Sequence, residues 1–500
     1  MIRYDDIVIG SGISGMTMSL ILAMNGHKVL LIEKGPYIGG SMARFSKRGI
    51  PFDTGFHFTG GLHKGGILDD ILSVLDMHDG IEPVFMSDDD ANSFVFENDG
   101  KRYDMPYGIE KLKLRMKAYF PEEACGIDSY FDKVQNVCKG TPSMSLGTLL
   151  NKFDPLQEDY ITCEEVLTGI TANPVLKALF STFAMCYGVK PNEISFANHS
   201  RISYGLYESV ARVKNGGAAF IDAFEAKFRQ YDVEVRCGCH VTGMTEIREN
   251  MAGRFILNTG EEISATNCIF TIHPKEVLKV MPEQQVSKAF RARVSAFEPS
   301  AGCFSIFGVL DPGFDEPGYG SKLVTLLPGT DFNQMLDPFN EGDSALILVK
   351  TLEQVGEKKH KVIVAIEPSF PEQVEAWKDS QVGRRPEAYK EYKEKKVEHL
   401  LNRIYKYFPG YRGKLSVSDA ASVLTFRDYL HNNDGSSYGV KQKIGQFNLR
   451  GRLPVKNCYA AGQSSILPGV IGAMMSSLIV AQSLVKEDDY AKFLNRRPRR

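Results

Sequence analysis

The stretch DDIVIGSGISGMTMSLILAMNGHKVLLIEK, residues 5–34, contains the local signals that decide the fold of this chain. Its β-branched run at residues 7–9 predicts a buried strand, because strands covered on both faces are continuous apolar runs. The apolar segment 16–24 predicts a helix, and a second buried strand is expected at 29–32, directly before Glu33. A strand, a glycine-rich turn, a helix and a second strand in this order predict a parallel α/β unit.

The turn between the first strand and the helix carries a G-x-G-x-x-G motif at Gly10, Gly12 and Gly15. The first glycine permits a tight turn, the second lets a pyrophosphate approach the backbone, and the third lets the helix pack close to the strand. Free N–H groups at the helix N-terminus face such a phosphate. An acid about 20 residues further along accepts hydrogen bonds from a ribose, and Glu33 occupies that position. The motif predicts a bound dinucleotide, and a glycine-rich turn without a ligand is the disfavoured alternative.

The composition of the 500 residues excludes several classes of protein. This length predicts two or three domains, and 43% hydrophobic with 24% charged residues is typical of a soluble globular protein. A formal net charge of −2 gives no electrostatic basis for a nucleic-acid partner. Nine cysteines without paired spacing predict reduced thiols. The Cys-Gly-Cys-His run at 237–240 has no second cluster to complete a zinc site, so we expect no metal.

The sequence carries no signal for export or for crossing a membrane. No segment has about 18 consecutive apolar residues, and the first apolar run is interrupted by glycines. We therefore expect a cytoplasmic protein, with peripheral contact at the inner face of a membrane as an open alternative. The basic tail at residues 496–500 is one candidate contact. Segment 110–120, in which Lys and Arg interleave with apolar residues, fits a strand, an interfacial helix or, as we favour, a solvated helix.

The residues that follow Glu33 indicate which dinucleotide is bound. A nicotinamide-binding domain would continue with another strand–helix unit, whereas this chain has a Gly39-Gly40 doublet and then a hairpin of apolar runs meeting at Asp-Thr-Gly, residues 53–55. A glycine doublet lets a second backbone segment close over the pyrophosphate. This arrangement favours FAD, an extended dinucleotide that is buried along its whole length.

Segments from the middle and the end of the chain complete the same domain. Residues 458–461 are expected to form a strand and residues 469–485 a helix, with Gly462 at the tight exit between them. The N-terminus of that helix directs amides at the flavin pyrimidine ring and stabilises negative charge on reduced flavin; an ordinary buried strand–helix pair is the alternative. In mid-chain, residues 233–274 predict strands and a hairpin, with the backbone of Val241 against the adenine.

Motifs spread over nearly the full length make the chain resemble one family of flavoproteins. They are Gly10 to Gly15, Glu33, GGS at 39–41, FDTGFHF at 52–58, YGVKP at 187–191, TFRDYLHNNDGSSYG at 425–439 and AGQSSILPGVIGA at 461–473. The chain resembles the phytoene desaturase group of the FAD-dependent amine-oxidase-like flavoproteins, and within it the carotenoid isomerase and retinol saturase branch. Two residues depart from the wider pattern: amine oxidases typically carry Arg at Ser41, and many relatives carry an acid at Gln463.

The resemblance implies an α/β fold, in which a Rossmann-like FAD-binding domain of the glutathione-reductase type carries an inserted α+β substrate-binding domain. The FAD-binding domain is discontinuous and is expected at residues 1–75, 213–290 and 418–495. The substrate-binding domain takes residues 76–212 and 291–417 and is expected to form an apolar tunnel to the flavin.

The resemblance and the motifs together single out the residues of the site. The expected FAD-binding residues are Gly10, Ser11, Gly12, Ile13, Ser14, Gly15, Glu33, Lys34, Gly39, Gly40, Ser41, Thr54, Gly55, Phe56, His57, Val241, Gly462, Gln463, Gly469, Val470 and Ile471. His57 and Tyr438 are the candidate catalytic residues, because adding hydrogen to an alkene or isomerising it needs a proton donor or a stabilised cation. A structural hydrogen-bonding role fits His57 equally well.

The implied activity is that of an FAD-dependent oxidoreductase acting on carbon–carbon double or single bonds of an apolar polyene or isoprenoid lipid. Desaturation, saturation and cis–trans isomerisation all fit this description, and the electron donor or acceptor is oxygen, a quinone or a reductase. Two alternatives stay open: a flavin amine oxidase of the same superfamily, and a flavin-binding protein without turnover.

Overall fold

Two seven-stranded sheets, each with its own helices, organise the chain. The computed structural model describes residues 3–446, 448–449 and 451–496, so the expected basic tail lies outside the described residues except for Arg496. The strands are β1 (Arg3–Ile9), β2 (Val29–Ile32), β3 (Arg44–Lys47), β4 (Ile50–Asp53), β5 (Pro83–Phe85), β6 (Asn92–Phe96), β7 (Arg102–Met105), β8 (Ala211–Val213), β9 (Glu234–Arg236), β10 (Val241–Thr245), β11 (Arg254–Leu257), β12 (Glu262–Phe270), β13 (Gly302–Leu310), β14 (Leu323–Leu327), β15 (Leu346–Val355), β16 (Lys358–Ser369), β17 (Leu415–Ala421) and β18 (Cys458–Ala460). The helices are α1 (Ile13–Met24), α2 (Ile67–Val74), α3 (Ile109–Tyr119), α4 (Ala124–Lys139), α5 (Cys163–Ile170), α6 (Pro174–Ser181), α7 (Phe196–Glu208), α8 (Gly217–Gln230), α9 (Pro274–Val280), α10 (Lys288–Ser295), α11 (Phe332–Met335), α12 (Glu387–Tyr407), α13 (Val423–Tyr429), α14 (Gly469–Ala481) and α15 (Glu487–Leu494).

The first sheet has the strand order β10-β11-β12-β1-β2-β9, with β18 beside the end of β12. β1 lies parallel to both β2 and β12, so that Ile7 pairs with Leu30 on one side and with Cys268 on the other. Helices α1, α8 and α14 cover one face of the sheet, and α9 and α10 pack on the other. Because both faces are buried, β1 and β2 are continuous apolar runs. The predicted Rossmann-like fold is confirmed, although β1 begins at Arg3, earlier than the sequence indicated.

The second sheet has the strand order β17-β13-β16-β15-β14-β6-β7. Its neighbouring strands are antiparallel, except that β14 lies parallel to β6. Leu400 and Ile404 of α12 pack against one face of this sheet. Helices α3 to α7 form a separate core that includes Phe94 and Phe96 of β6. This layer has the mixed α+β character that was predicted for the inserted part of the chain.

Segments that are far apart in the sequence contribute to each sheet. The first sheet takes its strands from residues 3–32, 234–270 and 458–460, and the second from residues 92–105, 302–369 and 415–421. The expected boundary between residues 417 and 418 lies inside β17, which pairs with β13 on both sides of that point. The division into an FAD-binding and a substrate-binding domain stays a prediction.

The β3–β4 hairpin connects the first layer to the second. Its two-residue turn is Arg48-Gly49, with φ angles of 53° and 79°, and positive φ at both positions is the conformation that closes a tight hairpin. The expected meeting point at residues 53–55 is wrong, because these residues end and follow β4. The rings of Phe45 and Phe52 lie 4.8 and 5.7 Å from the ring of Phe307 in β13, so the hairpin packs on the second sheet.

Segment 110–120, for which three conformations were open, lies almost entirely in helix α3, so the strand is excluded. Leu112 and Met116 on its inner face are buried, whereas Leu114 is 69% exposed. The four cations of the helix each pair with an aspartate, an arrangement that favours a solvated helix over an interfacial one. Within the described residues, no helix has the length and apolar character needed to cross a membrane.

Candidate functional site

A cavity of about 550 Å³ lies where the helices of the first sheet meet the second sheet. One part of its wall is the glycine-rich start of α1 together with the start of α14. A second part is residues 54–60, which follow β4, and a third comes from β13, β15, β16 and α7. The cavity therefore joins the predicted cofactor segments to the second layer.

The glycine motif forms a tight turn that is open on one side. Gly10 has a φ of 95°, and a Cβ atom on Gly15 would lie 1.8 Å from the Gly10 carbonyl oxygen, so both positions require glycine. A Cβ atom on Gly12, in contrast, would meet no atom within 4 Å. That open space belongs to the cavity and lies at the N-terminus of α1, where a pyrophosphate binds in such folds. The residues present fit a dinucleotide.

The Gly39-Gly40 doublet closes over this turn. The Gly39 N–H donates to the Ser11 carbonyl oxygen at 3.0 Å, and a Cβ atom on Gly40 would lie 3.2 Å from the Cα atom of Gly12. Both glycines have positive φ, 118° and 52°, which side chains rarely tolerate. The neighbouring Ser41 lines the cavity. The doublet thus brings a second backbone segment to Gly12.

Glu33 lies at the end of β2 and orders the glycine-rich turn. Its Oε2 atom accepts hydrogen bonds from the backbone N–H of Ser11 at 2.8 Å and from the Ser11 hydroxyl at 2.6 Å. Its Oε1 atom accepts from the N–H of Gly35 at 2.7 Å. Carboxylate oxygens have further lone pairs, so these bonds leave acceptor capacity for a ribose hydroxyl. Lys34 beside it is exposed to solvent.

The turn that leads from β9 to β10 lies next to Glu33. The Cys239 N–H donates to the Glu33 carbonyl oxygen at 3.1 Å. This bond holds the start of β10, at Val241, near Glu33. Val241 is buried among the strands of the first sheet and is not part of the cavity wall. Cys237 and Cys239 are free thiols, and the described residues contain no group of three or more metal-ligating side chains.

The C-terminal segment packs directly on α1. The Ser14 and Ser477 hydroxyls lie 2.7 Å apart, and the Gly462 N–H donates to the Ser476 hydroxyl at 2.8 Å. Helix α14 begins at Gly469, whose φ is 75° and whose Cβ position is open. Gly469 therefore leaves space on the cavity side at the start of the helix, beside Val470 and Ile471, which line the same cavity. The Gln463 side-chain amide donates to the Ser437 carbonyl oxygen at 3.4 Å.

Most of the predicted site residues come together around the cavity. Those in its wall are Gly12, Ile13, Ser14, Ser41, Thr54, Gly55, Phe56, His57, Tyr438, Gly462, Gln463, Gly469, Val470 and Ile471. Those outside its wall are Gly10, Ser11, Gly15, Glu33, Lys34, Gly39, Gly40 and Val241. The residues of the second set shape or support the glycine-rich turn, or lie beyond it near Glu33.

His57 and Tyr438 both line the cavity, and each is only partly exposed. Burial, reinforced by the nearby Arg44 cation, lowers the pKa of His57 to about 4, so its imidazole is neutral at pH 7. Burial holds the pKa of Tyr438 well above its usual value. Its phenol therefore stays protonated and is a hydrogen-bond donor. The Tyr438 backbone N–H donates to the Ser300 hydroxyl at 3.1 Å, which fixes the loop.

An apolar tunnel was expected from the resemblance, but the residues that form the apolar part of the wall were not predicted from the sequence. It includes Met185 and Tyr204 from the helical core and Ile347 and Ile366 from the second sheet. Ile347 and Ile366 are direct partners in the β15–β16 ladder, so their side chains lie together on one face. Alternation along each strand could have shown that these residues share a face, but not which of the two faces lines the cavity.

Comparison with known proteins agrees with this geometry. The model of an NAD(P)-binding Rossmann-like domain matches residues 8–73. All-trans-retinol 13,14-reductase of Homo sapiens is 26% identical over 539 residues, which covers 99% of this chain and 87% of that protein. Prolycopene isomerase 2 of an Oncidium hybrid cultivar is 30% identical over 147 residues, 29% of this chain and 25% of that protein. A 4,4'-diapophytoene desaturase of Staphylococcus haemolyticus is 27% identical over 116 residues, 23% of this chain and 18% of that protein.

Solved structures share the fold at low sequence identity. A putrescine oxidase variant superposes with a TM-score of 0.66 at 13% identity, covering 97% of this chain and 99% of that one. An oxidoreductase from Methanosarcina mazei has a TM-score of 0.65 at 16% identity, covering 96% of this chain and 100% of that one. The chain is therefore similar in sequence to proteins named all-trans-retinol 13,14-reductase, prolycopene isomerase and diapophytoene desaturase, and it shares its fold with flavoenzymes of the amine oxidase type.

Proposed function

We propose that this protein is an FAD-dependent oxidoreductase acting on carbon–carbon bonds of an apolar polyene or isoprenoid lipid. The observation that carries the proposal is a continuous cavity, which extends from the open space beside Gly12 to an apolar wall at Ile347 and Ile366. Homology to proteins named as a retinol reductase, a prolycopene isomerase and a diapophytoene desaturase supports the same substrate class.

The cofactor end of the cavity would hold FAD along its length. The N–H groups at the start of α1, beside Gly12, would bind the pyrophosphate, and Glu33 would accept a hydrogen bond from the adenosine ribose. The first turn of α14, at Gly469, would supply N–H groups to the pyrimidine ring. Bound FAD supplies the electron sink for hydride or electron transfer.

The apolar end of the cavity binds and orients the lipid. Side chains such as Met185, Ile347 and Ile366 contact the chain of the substrate, and each Å² of apolar surface buried contributes about 25 cal/mol to affinity. The same side chains exclude water from the reacting bond. His57, neutral at pH 7, and Tyr438, protonated, each hold a proton beside this space. At pH 7 both groups are suited to donate hydrogen bonds rather than to transfer a proton, because a neutral imidazole and a phenol with a raised pKa are poor acids.

The direction of the chemistry stays open among desaturation, saturation and isomerisation. The experiment mixes oxidised and reduced protein separately with carotenoids, retinoids and isoprenoid quinones in liposomes, without oxygen. Flavin absorbance and the double bonds of the products are followed. We expect one form to convert a polyene or isoprenoid, and His57→Phe and Tyr438→Phe to slow that conversion. Conversion at the wild-type rate in both variants would leave the substrate proposal standing and remove the two residue roles.

A flavin amine oxidase is the second candidate, and one observation favours it. Glu208 lines the cavity with its side chain 30% exposed, and a carboxylate there would attract an ammonium group. The fold is also shared with putrescine oxidase. Rapid reduction of the flavin by a primary amine or polyamine, together with no change in any lipid, would establish this alternative. Bound flavin that neither reacts with substrates nor is reoxidised would instead indicate a protein without turnover.

Contact with a membrane follows from the proposed substrate, since a polyene lipid partitions into bilayers. We propose that the protein binds membranes peripherally and that oxygen, a quinone or a reductase exchanges electrons with it there. Flotation with phosphatidylcholine vesicles, with and without phosphatidylserine, measures this binding. Enhancement by phosphatidylserine that is lost when residues 496–500 are deleted would assign the contact to the basic tail.

A further inference from the structure

The end of the β3–β4 hairpin carries a buried cluster of charges. Arg44 and Asp53 pair directly across the two strands, and the Arg44 Nε atom lies 2.8 Å from Asp53 Oδ1. The same guanidinium reaches the second sheet, where its Nη2 atom lies 2.8 Å from Oε2 of Glu353 in β15. All three side chains are only 10% exposed. Arg44 therefore links the hairpin to the second sheet through two carboxylates.

Asp53 also holds the start of helix α8. The Gly217 N–H donates to Asp53 Oδ1 at 3.4 Å, and a Cβ atom on Gly216 would lie 1.9 Å from the same oxygen. The residues directly after Asp53, from Thr54 to His57, line the cavity. The carboxylate is thus the point at which the hairpin, α8 and the cavity-lining turn meet.

The charges that face Asp53 come from every element packed on it. They are Arg44 on β3, Arg212 on β8 and Glu353 on β15. Burial and the Glu353 carboxylate raise the pKa of Asp53 to about 6, against the opposing effect of Arg44. Asp53 therefore changes charge near neutral pH while Arg44 stays charged. Its contact with Arg44 is Coulombic, because the Arg44 Nε atom makes no hydrogen bond.

We propose that Asp53 is a positioning residue for the proposed reaction: as a carboxylate it holds Arg44 and α8, and so places His57 and the turn before it against the cofactor. Protonation of Asp53 removes the attraction to Arg44, which then keeps only Glu353. The turn from Thr54 to His57 then loses the contact that holds it, whereas the hairpin stays packed on the second sheet through Phe45 and Phe52. This inference rests on the proposed function, because it concerns the site where FAD binds.

The test compares Asp53→Asn with a matched control, Asp419→Asn. Asp419 pairs with Lys47 of the same hairpin at 2.6 Å, but this pair is largely exposed, with 33% and 48% of the two side chains accessible. Visible circular dichroism of bound FAD is recorded from pH 5 to pH 8, together with kcat for the conversion of the polyene or isoprenoid in liposomes. In wild type and Asp419→Asn, both signals should change around the pKa of Asp53, about 6. In Asp53→Asn the transition should vanish, and kcat at pH 8 should fall to the wild-type value at pH 5.

The proposal is overturned if Asp53→Asn keeps the transition, or if Asp419→Asn loses it as well. Its failure is separable from that of the proposed function by a measurement that needs neither flavin nor turnover. In protein labelled with ¹³C-histidine, the Cε1 resonance of His57, assigned by its loss in His57→Phe, should shift with the protonation of Asp53. The shift should be absent in Asp53→Asn. A His57 resonance that is constant in wild type over this range overturns the proposal whether or not FAD binds.

Discussion

At Gly12 the missing side chain leaves space that the pyrophosphate of the proposed cofactor needs. Gly12→Val should give a folded protein without flavin, because the new side chain occupies that space while meeting no protein atom within 4 Å of its Cβ position. The ratio of flavin to protein absorbance after purification measures the loss. Gly169→Val is the control, since Gly169 in α5 is equally open but lies far from the cofactor segments in sequence. A yellow Gly12→Val protein would refute the assignment.

We expect Glu33 to act on the proposed FAD both directly and through the turn that it orders. Glu33→Ala removes three hydrogen bonds to Ser11 and Gly35 together with the ribose contact. FAD affinity should fall by about 1.5–3 kcal/mol, the scale of a hydrogen bond to a charged group. Glu33→Gln keeps an acceptor oxygen and should lose less. Titration of FAD into the deflavinated variants measures both effects, and wild-type affinity in Glu33→Ala would exclude the role.

At the scale of elements, the sequence predicted the helices and strands whose hydrophobic pattern is local. The unit from β1 to β2 was predicted because buried strands and the glycine motif leave a clear pattern, and α14 was predicted to begin at Gly469, as it does. The position of the hairpin turn was predicted wrongly, because Arg48 adopts a positive φ, which an arginine in the sequence does not indicate. The apolar wall escaped prediction because Ile347 and Ile366 meet only through sheet register.

Strand order predicts how a fragment of the chain behaves. β1 has β12 as its outer neighbour and β2 has β9, and both neighbours come from mid-chain. Residues 1–150 alone would retain only the β1–β2 pair of this sheet, and two strands are marginally stable at best. We expect this fragment to be unfolded by circular dichroism and to bind no FAD, with the full chain as control. An autonomous flavin-binding fragment would show that the discontinuous division is wrong.

For the whole molecule, buried histidines make the free energy of unfolding depend on pH. His199 lies between the hydroxyls of Tyr130 and Tyr187, at 2.7 and 2.9 Å, and burial lowers its pKa to about 3. The unfolded chain, with an ordinary histidine pKa of about 6.5, therefore binds one more proton between these limits. The contribution of His199 to the free energy of unfolding is therefore fully present above pH 6.5. It decreases by about 1.4 kcal/mol per pH unit as the pH falls toward 3.

His199→Gln should remove this dependence even though the variant is less stable overall. The free energy of unfolding, measured with urea at several pH values between 4 and 6.5, should show a slope smaller by about one proton than in wild type. His399→Gln, at a side chain that is 50% exposed, controls for the loss of a histidine. A slope in His199→Gln equal to that of wild type would contradict the prediction.

The contact between Ser14 and Ser477 sets an order of events during synthesis. Helix α14, which packs on α1, leaves the ribosome only after the chain from Met24 to Gly469 has been made. At 5–20 residues per second this takes roughly 20–90 s. Throughout that interval the nascent chain lacks the start of α14, which forms part of the cavity wall. A nascent chain that has not yet produced α14 therefore leaves uncovered the apolar face of α1 on which α14 packs.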